Sequence, residues 1–155
     1  MVTAYCDADW AGDIDSRKST TGYIIKLNEC VVSWVCKKQT SVALSTAEAE
    51  YMAISAAVQE VKWFTQLLSE LDYAQVETPV IVFTDNQAAL QIGENDVNHS
   101  REKHIDIKHH HIRDAIKKDE IKLHWIPTGE QIADINTKGL SRNLFLVLRE
   151  QLMSK

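Results

Sequence analysis

Proline and glycine are scarce in this chain, with two of the first and five of the second among 155 residues. No Pro/Gly-rich linker, low-complexity tract or internal repeat interrupts it, so nothing marks a domain boundary. Cysteine is scarce too. Cys6, Cys30 and Cys36 make an odd number without CxxC spacing. They are expected to be reduced thiols, packed as small buried hydrophobes, in a cytosolic-type compartment. No apolar run approaches the length of a membrane span, which excludes a helical membrane protein. The stretch Met1 to Tyr5 has no basic patch ahead of an apolar segment, so no signal peptide is expected. Positive charge is also short. Seventeen Lys and Arg face 22 Asp and Glu, for a net charge of −5. Proteins that grip phosphate backbones through their own surface are usually basic. Either the substrate is not a nucleic acid, or another domain supplies most of the grip. The segment from Arg101 to Lys122 is locally basic, but acids are interspersed along it.

What the chain does have is a core-forming 45% of hydrophobic residues, enough for one globular domain over 1–155. It also has four carboxylates in four separate patches: Asp7, Glu50, Asp85 and Asp134. Each stands where a strand or helix could hand it to one shared site. Gathering acids from distant sequence costs free energy through mutual repulsion, and a divalent cation is the usual reason to tolerate it. Such clusters bind Mg²⁺ and cut or join phosphodiesters.

The first third reads as strands. Val2 to Asp9, Thr20 to Leu27 and Val31 to Val35 are β-rich, and Asn28-Glu29 fits a tight turn between the last two. An antiparallel meander follows from this. Ser45-Thr46 then offers an N-cap for a long helix reaching about Leu71. From Glu50 the helical neighbours are Ala53, Ile54, Ala57, Val61, Phe64 and Leu68, all apolar. From Glu48 they are mostly polar. Periodicity therefore puts Glu50 on the buried face and Glu48 on the wet one. A buried carboxylate needs a partner, which singles out Glu50 as the functional acid.

Val80 to Thr84 is a buried-strand pattern with Asp85 at its C-terminal end, the expected site position in an open α/β sheet. Asn86 to Ile92 reads as a short helix stopped by Gly93, and residues 94–104 as a loop. Asp106 can cap a helix to about Lys118, and Ile121 to Ile126 is a final strand stopped by Pro127. Glu130 to Thr137 should be a helix carrying Asp134, and Ser141 to Leu152 another with Leu144, Leu148 and Leu152 on one stripe. The sum is an α/β sheet with an antiparallel portion. Plainer readings accompany several residues. A lone aspartate more often caps an element than ligates. Asp9 shares a face with Asp7 but reads as a wet strand-end acid. The run His109 to His111 cannot chelate one ion, because consecutive helical positions point about 100° apart. Trp10, Trp34, Trp63 and Trp125 are most simply core or partly buried packing, with Trp10 placed to stack on a base or sugar.

The motifs, taken in order, resemble the ribonuclease H domain of copia-type LTR retrotransposon polyproteins. They are Asp7-Ala-Asp-Trp-Ala-Gly12, Lys18-Ser-Thr-Thr-Gly-Tyr23, Ser33-Trp34 with Lys37-Lys38-Gln39, Val42 through Tyr51, Thr84-Asp-Asn-Gln-Ala-Ala89, Lys103-His-Ile-Asp-Ile-Lys108 and Ala133-Asp-Ile-Asn-Thr-Lys138. The resemblance covers nearly the whole chain. It implies an α/β ribonuclease H-like fold, a five-stranded mixed sheet with strands 1–3 antiparallel, flanked by helices. It implies cleavage of the RNA strand of RNA–DNA hybrids, leaving 5′ phosphates, during reverse transcription. Asp7, Glu50, Asp85 and Asp134 match the metal-binding acids, for two Mg²⁺ ions with Mn²⁺ as substitute. Gln87, Ser45 and Thr46 match positions that touch the hybrid. The implied partners are the hybrid and the polymerase domain of the same polyprotein, with no membrane and a monomeric isolated domain. Met1 abutting the first strand fits a domain cut from such a polyprotein, expected to work in a cytoplasmic retrotransposon particle or, alternatively, in the nucleus.

Two features depart from the family pattern. Many ribonucleases H carry a histidine in the loop before the last aspartate, whereas Trp125 to Asp134 contains none and His124 falls on a strand. The basic handle of cellular enzymes is also missing between Gly93 and Asp106, so the attached polymerase would hold the substrate. His104 and Arg101 match the family pattern without a derivable job. Other readings stay open: a catalytically inactive hybrid-binding piece of the polymerase, or a domesticated binding protein. An exonuclease or integrase on this fold fits less well. The first strand reads Asp-Ala-Asp instead of Asp-x-Glu, and Glu50 precedes Asp85 instead of following it.

Overall fold

The structure is a computed structural model that describes residues 1–73, 76–91 and 103–153. Strands β1 (Val2–Asp9), β2 (Thr20–Leu27) and β3 (Cys30–Lys38) form the antiparallel meander. The turn between β2 and β3 holds Asn28 and Glu29 at φ 50° and 65°, the left-handed pair that matches strand twist in a two-residue hairpin. β4 (Val80–Thr84) runs parallel to β1, and β5 (Ile121–Trp125) parallel to β4. The sheet order is β3-β2-β1-β4-β5, so the mixed five-stranded sheet expected from the sequence is present.

Helix α1 (Thr46–Glu70) covers one face. Ala49, Ala53 and Ala57 are buried along it at four-residue spacing, so the helix lies close to the sheet. Ile54, Val58, Val61, Phe64 and Leu68 complete that core with Ala4, Cys6 and Val82 from the strands. Each large side chain buried there contributes roughly 1.5–3 kcal/mol. The opposite face carries a 3₁₀ helix, Ile132–Asn136, and α4 (Arg142–Met153), which seal a smaller core around Ile24, Ile132 and Leu148. Leu144 and Leu152 pack against it, as their stripe predicts. A four-residue α2 (Gln87–Leu90) and α3 (Lys103–Lys117) fill the remaining connections.

Several expectations need correction. The segment Glu130 to Thr137 is not an α-helix. It is made of 3₁₀ turns, Thr128–Glu130 and Ile132–Asn136, closed by backbone bonds such as Thr137 N–H to Asp134 O at 3.2 Å. Asp106 lies inside α3, not at its cap. Cys30 and Cys36 are exposed on the edge strand β3, and only Cys6 is buried. The four tryptophans are surface residues. Trp10, Trp34, Trp63 and Trp125 are 45%, 65%, 56% and 44% exposed. The stop at Gly93, most of the loop 94–104 and the role of Arg101 lie outside the described residues, as does the His104 side chain.

Candidate metal centre

β1 and β4 are parallel neighbours, so their C-terminal ends emerge on the same edge of the sheet. Their last ladder pair is Tyr5 with Phe83. Beyond it β1 stays paired with β2 alone, and the backbone that β4 no longer covers is met by the residue that starts the 3₁₀ segment Ile132–Asn136. Gln131, fully buried, donates from Nε2 to Cys6 O at 3.0 Å and accepts Ala133 N–H at 3.2 Å. This one side chain fastens the turn carrying Asp134 to the strand carrying Asp7. Gly22, the antiparallel partner of Asp7, leaves room for the end of that turn.

Asp7, Asp85 and Asp134 come together as a result. One carboxylate oxygen from each lies within 4.8 Å of the others. Asp7 and Asp134 are buried, and Asp85 is half-buried. Each is held by neighbours. Thr137 Oγ1 donates to Asp7 Oδ2. Thr128 Oγ1 donates to Asp85 Oδ2 at 2.8 Å, and Trp125 Nε1 donates to the Asp85 carbonyl at 3.0 Å. Lys138 Nζ lies 3.2 Å from Asp7 Oδ1 and 2.9 Å from Asp134 Oδ1.

Glu50 stands outside this mutually close group of three. It sits just past the first turn of α1, on the face turned to β1, and its Oε1 accepts the Ala8 N–H at 3.3 Å. Its Oε2 is buried without a hydrogen-bond partner. Burial, then the charges of Asp7 and Asp85, push its carboxyl up to about 9. Burial and Asp7 likewise push Asp134 up to about 6, against the pull of Lys138. Burial opposes the charge on Lys138, but Asp7 and Asp134 outweigh it and push the ammonium up. Acid groups that resist ionising, and a buried carboxylate oxygen with no hydrogen-bond partner, fit a site that could hold a divalent cation. The donor set is all hard oxygen, which suits Mg²⁺ or Mn²⁺.

Glu48 is buried as well, contrary to its polar helical neighbours. Its Oε2 accepts Leu44 N–H at 2.7 Å while its own N–H bonds Ser45 Oγ at 3.1 Å. This reciprocal cap folds the acid back over the helix start, away from the role Glu50 has. Ser45 and Thr46 are exposed at that helix start, and Gln87 is exposed at the first position of α2. Asp9 is half-buried, and its carboxylate fills the space where a Gly12 side chain would stand. His124 edges against Phe83, whose ring in turn stacks on Tyr5. His109 sets its ring edge-on to Tyr51 at 4.4 Å. Residue-by-residue reading of the sequence assigned no role to Thr128, Gln131, Thr137 or Lys138. Thr137 and Lys138 were within reach of notice, since they close the motif that contains Asp134.

The fold and the carboxylate cluster define the class, a ribonuclease H-like fold with an acidic cluster that could hold a metal ion. LC11-RNase H1, solved in complex with an RNA/DNA hybrid, superposes with a TM-score of 0.64 at 16% identity, over 88% of this chain and 94% of that one. The Pol polyprotein of transposon TNT 1-94 from Nicotiana tabacum is 41% identical over 97% of this chain. The Pol polyprotein of transposon RE1 from Arabidopsis thaliana is 43% identical over 92%. The chain spans 11% and 10% of the lengths of those two polyproteins. No protein-family model matches it. Its homologues include the Pol polyproteins of copia-type transposons, which it matches over one short stretch of their length.

Proposed function

We propose that this domain hydrolyses the RNA strand of RNA–DNA hybrids as the ribonuclease H segment of a retrotransposon polyprotein. The observation that carries the reading is the convergence of Asp7, Asp85 and Asp134 at the shared end of β1 and β4, with Glu50 facing them from α1. The hybrid bound by LC11-RNase H1 and the polyprotein setting of the homologues support the same substrate.

Divalent ions held by the four carboxylates, Mg²⁺ or Mn²⁺, would ease deprotonation of the attacking water and offset charge on the leaving oxygen. The chain's own residues do the positioning. Thr137 turns the Asp7 carboxylate, Thr128 turns that of Asp85, and the Ala8 N–H anchors Glu50 with one oxygen left to give. Trp10 and Trp125 are exposed, and each is tied by its N–H to a backbone carbonyl, Ala43 O and Asp85 O. Such rigid rings suit stacking on sugar or base. Ser45 and Thr46 at the start of α1 and Gln87 at the start of α2, all exposed, are the hybrid contacts in this reading. RNA is told from DNA by its 2′-hydroxyls. With a net charge of −5 the domain grips the backbone weakly, and the polymerase domain of the polyprotein supplies the rest.

The test is cleavage of a labelled hybrid by the purified protein in Mg²⁺ and in EDTA, beside Asp85→Asn. Cleavage is expected in Mg²⁺ alone, with intact circular dichroism but no product for the variant. Cutting by Asp85→Asn at the wild-type rate would overturn the site.

A further inference from the structure

The acidic cluster supplies its own cation. Lys138 follows Asp134 by four residues, and the turn that ends at Asn136 swings its side chain inward. Its Nζ takes one oxygen of Asp7 at 3.2 Å and one of Asp134 at 2.9 Å. The other Asp7 oxygen is taken by the Thr137 hydroxyl. The two acids are 1% and 2% exposed, so solvent screens these charges little. Both Asp7 oxygens thus already accept a hydrogen bond, and so does one of Asp134. A divalent ion entering between the acids competes for those same oxygens. An ammonium and a divalent cation on one carboxylate repel strongly at such distances. The lysine side chain is itself 33% exposed, and its flexible four-carbon stem can carry the ammonium out to water without moving the backbone.

We propose that Lys138 is a tethered counter-ion. It holds Asp7 and Asp134 together in the metal-free protein and swings out of the cluster when a divalent ion enters. It therefore stabilises the empty fold and weakens metal binding, letting the polyprotein fold before metal is bound and setting the concentration at which the site fills. This rests on the reading of the acids as metal ligands. Asp85, tied to Thr128 instead, stays open to the first approach of an ion.

The test is calorimetric titration of Mg²⁺ into wild type, Lys138→Met and Asp85→Asn at constant ionic strength, with thermal unfolding of each in EDTA. Lys138→Met is expected to bind Mg²⁺ on the order of tenfold tighter. It should also melt lower than wild type in EDTA and gain more from Mg²⁺. A second measurement needs no variant. Acetylation of wild-type Lys138 by an N-hydroxysuccinimide ester, followed by mass spectrometry, should quicken several-fold in Mg²⁺ while Lys37 is unaffected. Equal or weaker Mg²⁺ binding by Lys138→Met, or an acetylation rate indifferent to Mg²⁺, overturns the counter-ion. Wild type and Asp85→Asn binding Mg²⁺ alike would instead overturn the metal site on which it depends.

Discussion

A side-chain carbon placed on Gly22 would stand 2.5 Å from Thr137 Cγ2 and 3.0 Å from Asn136 Cβ. Gly22 is also the ladder partner of Asp7. The missing side chain opposite the central acid is thus the space into which the 3₁₀ turn settles, and that turn carries Asp134, Thr137 and Lys138. A glycine inside a strand commonly marks such close approach of another backbone.

Gly22→Ala should therefore lose about 1–3 kcal/mol of stability in urea unfolding, through displacement of the turn. Mg²⁺ stabilisation should fall with it. Gly139→Ala is the control, because a carbon added there meets no atom within 4 Å. Equal midpoints for the two variants would show that the Gly22 gap does not matter.

Thr128→Val removes the donor to Asp85 Oδ2 while keeping side-chain volume. Thr128 is exposed, so the fold should be unchanged. Hybrid cleavage should drop about tenfold or more, mainly in kcat, because Asp85 is left free to rotate. Thr128→Ser should recover most of the rate. Loss of rate in both variants alike would point away from the hydroxyl.

The pH dependence of the metal-free protein has a definite sign. The Glu50 carboxyl is raised from 4.5 to about 9, so between these values the folded chain holds a proton that the unfolded chain has released. Stability from this group is highest below about pH 4.5 and falls as pH rises toward 9. Asp134, raised from 3.8 to about 6, acts in the same direction over a lower window. In EDTA, melting temperature should fall across the Glu50 window, and Glu50→Gln should flatten much of that fall. Mg²⁺ should oppose it by compensating the ionised acids. Parallel melting curves for wild type and Glu50→Gln would sink this account.

Ser45 has two candidate jobs that one substitution separates. Its Oγ accepts the Glu48 N–H at 3.1 Å, which caps α1. Ser45→Ala should cost about 1 kcal/mol by denaturant unfolding. A hybrid contact by the same hydroxyl would add a rise in KM beyond any change in stability. Thr46→Ala, which leaves the cap in place, should show only the KM effect.

Much of this site was legible in one dimension. Asp7 lies near the end of β1 and Asp85 just past β4, strands whose limits follow from β-branched runs and breakers. Glu50 was separated from Glu48 by its apolar helical neighbours alone. Where local pattern failed, a longer-range partner was responsible. Glu48 is buried because its own cap draws it inward, and Cys30 and Cys36 are exposed because β3 is an edge. The helix expected at Glu130 to Thr137 became 3₁₀ turns pressed on β1 and β2 through Gln131 and the Gly22 gap.

The sequence by itself determined the five strands, the long helix and the buried face on which Glu50 lies, and it nominated the four acids, since periodicity and turn chemistry act over a few residues. Only the tertiary structure decided which groups hold the acids: Thr137 and Lys138 on Asp7, 130 and 131 positions away, and Thr128 on Asp85. It also set Glu50 beside the close trio and not within it. Those pairings depend on how one turn packs against the end of a sheet, a matter of three-dimensional fit that no local pattern of residues encodes.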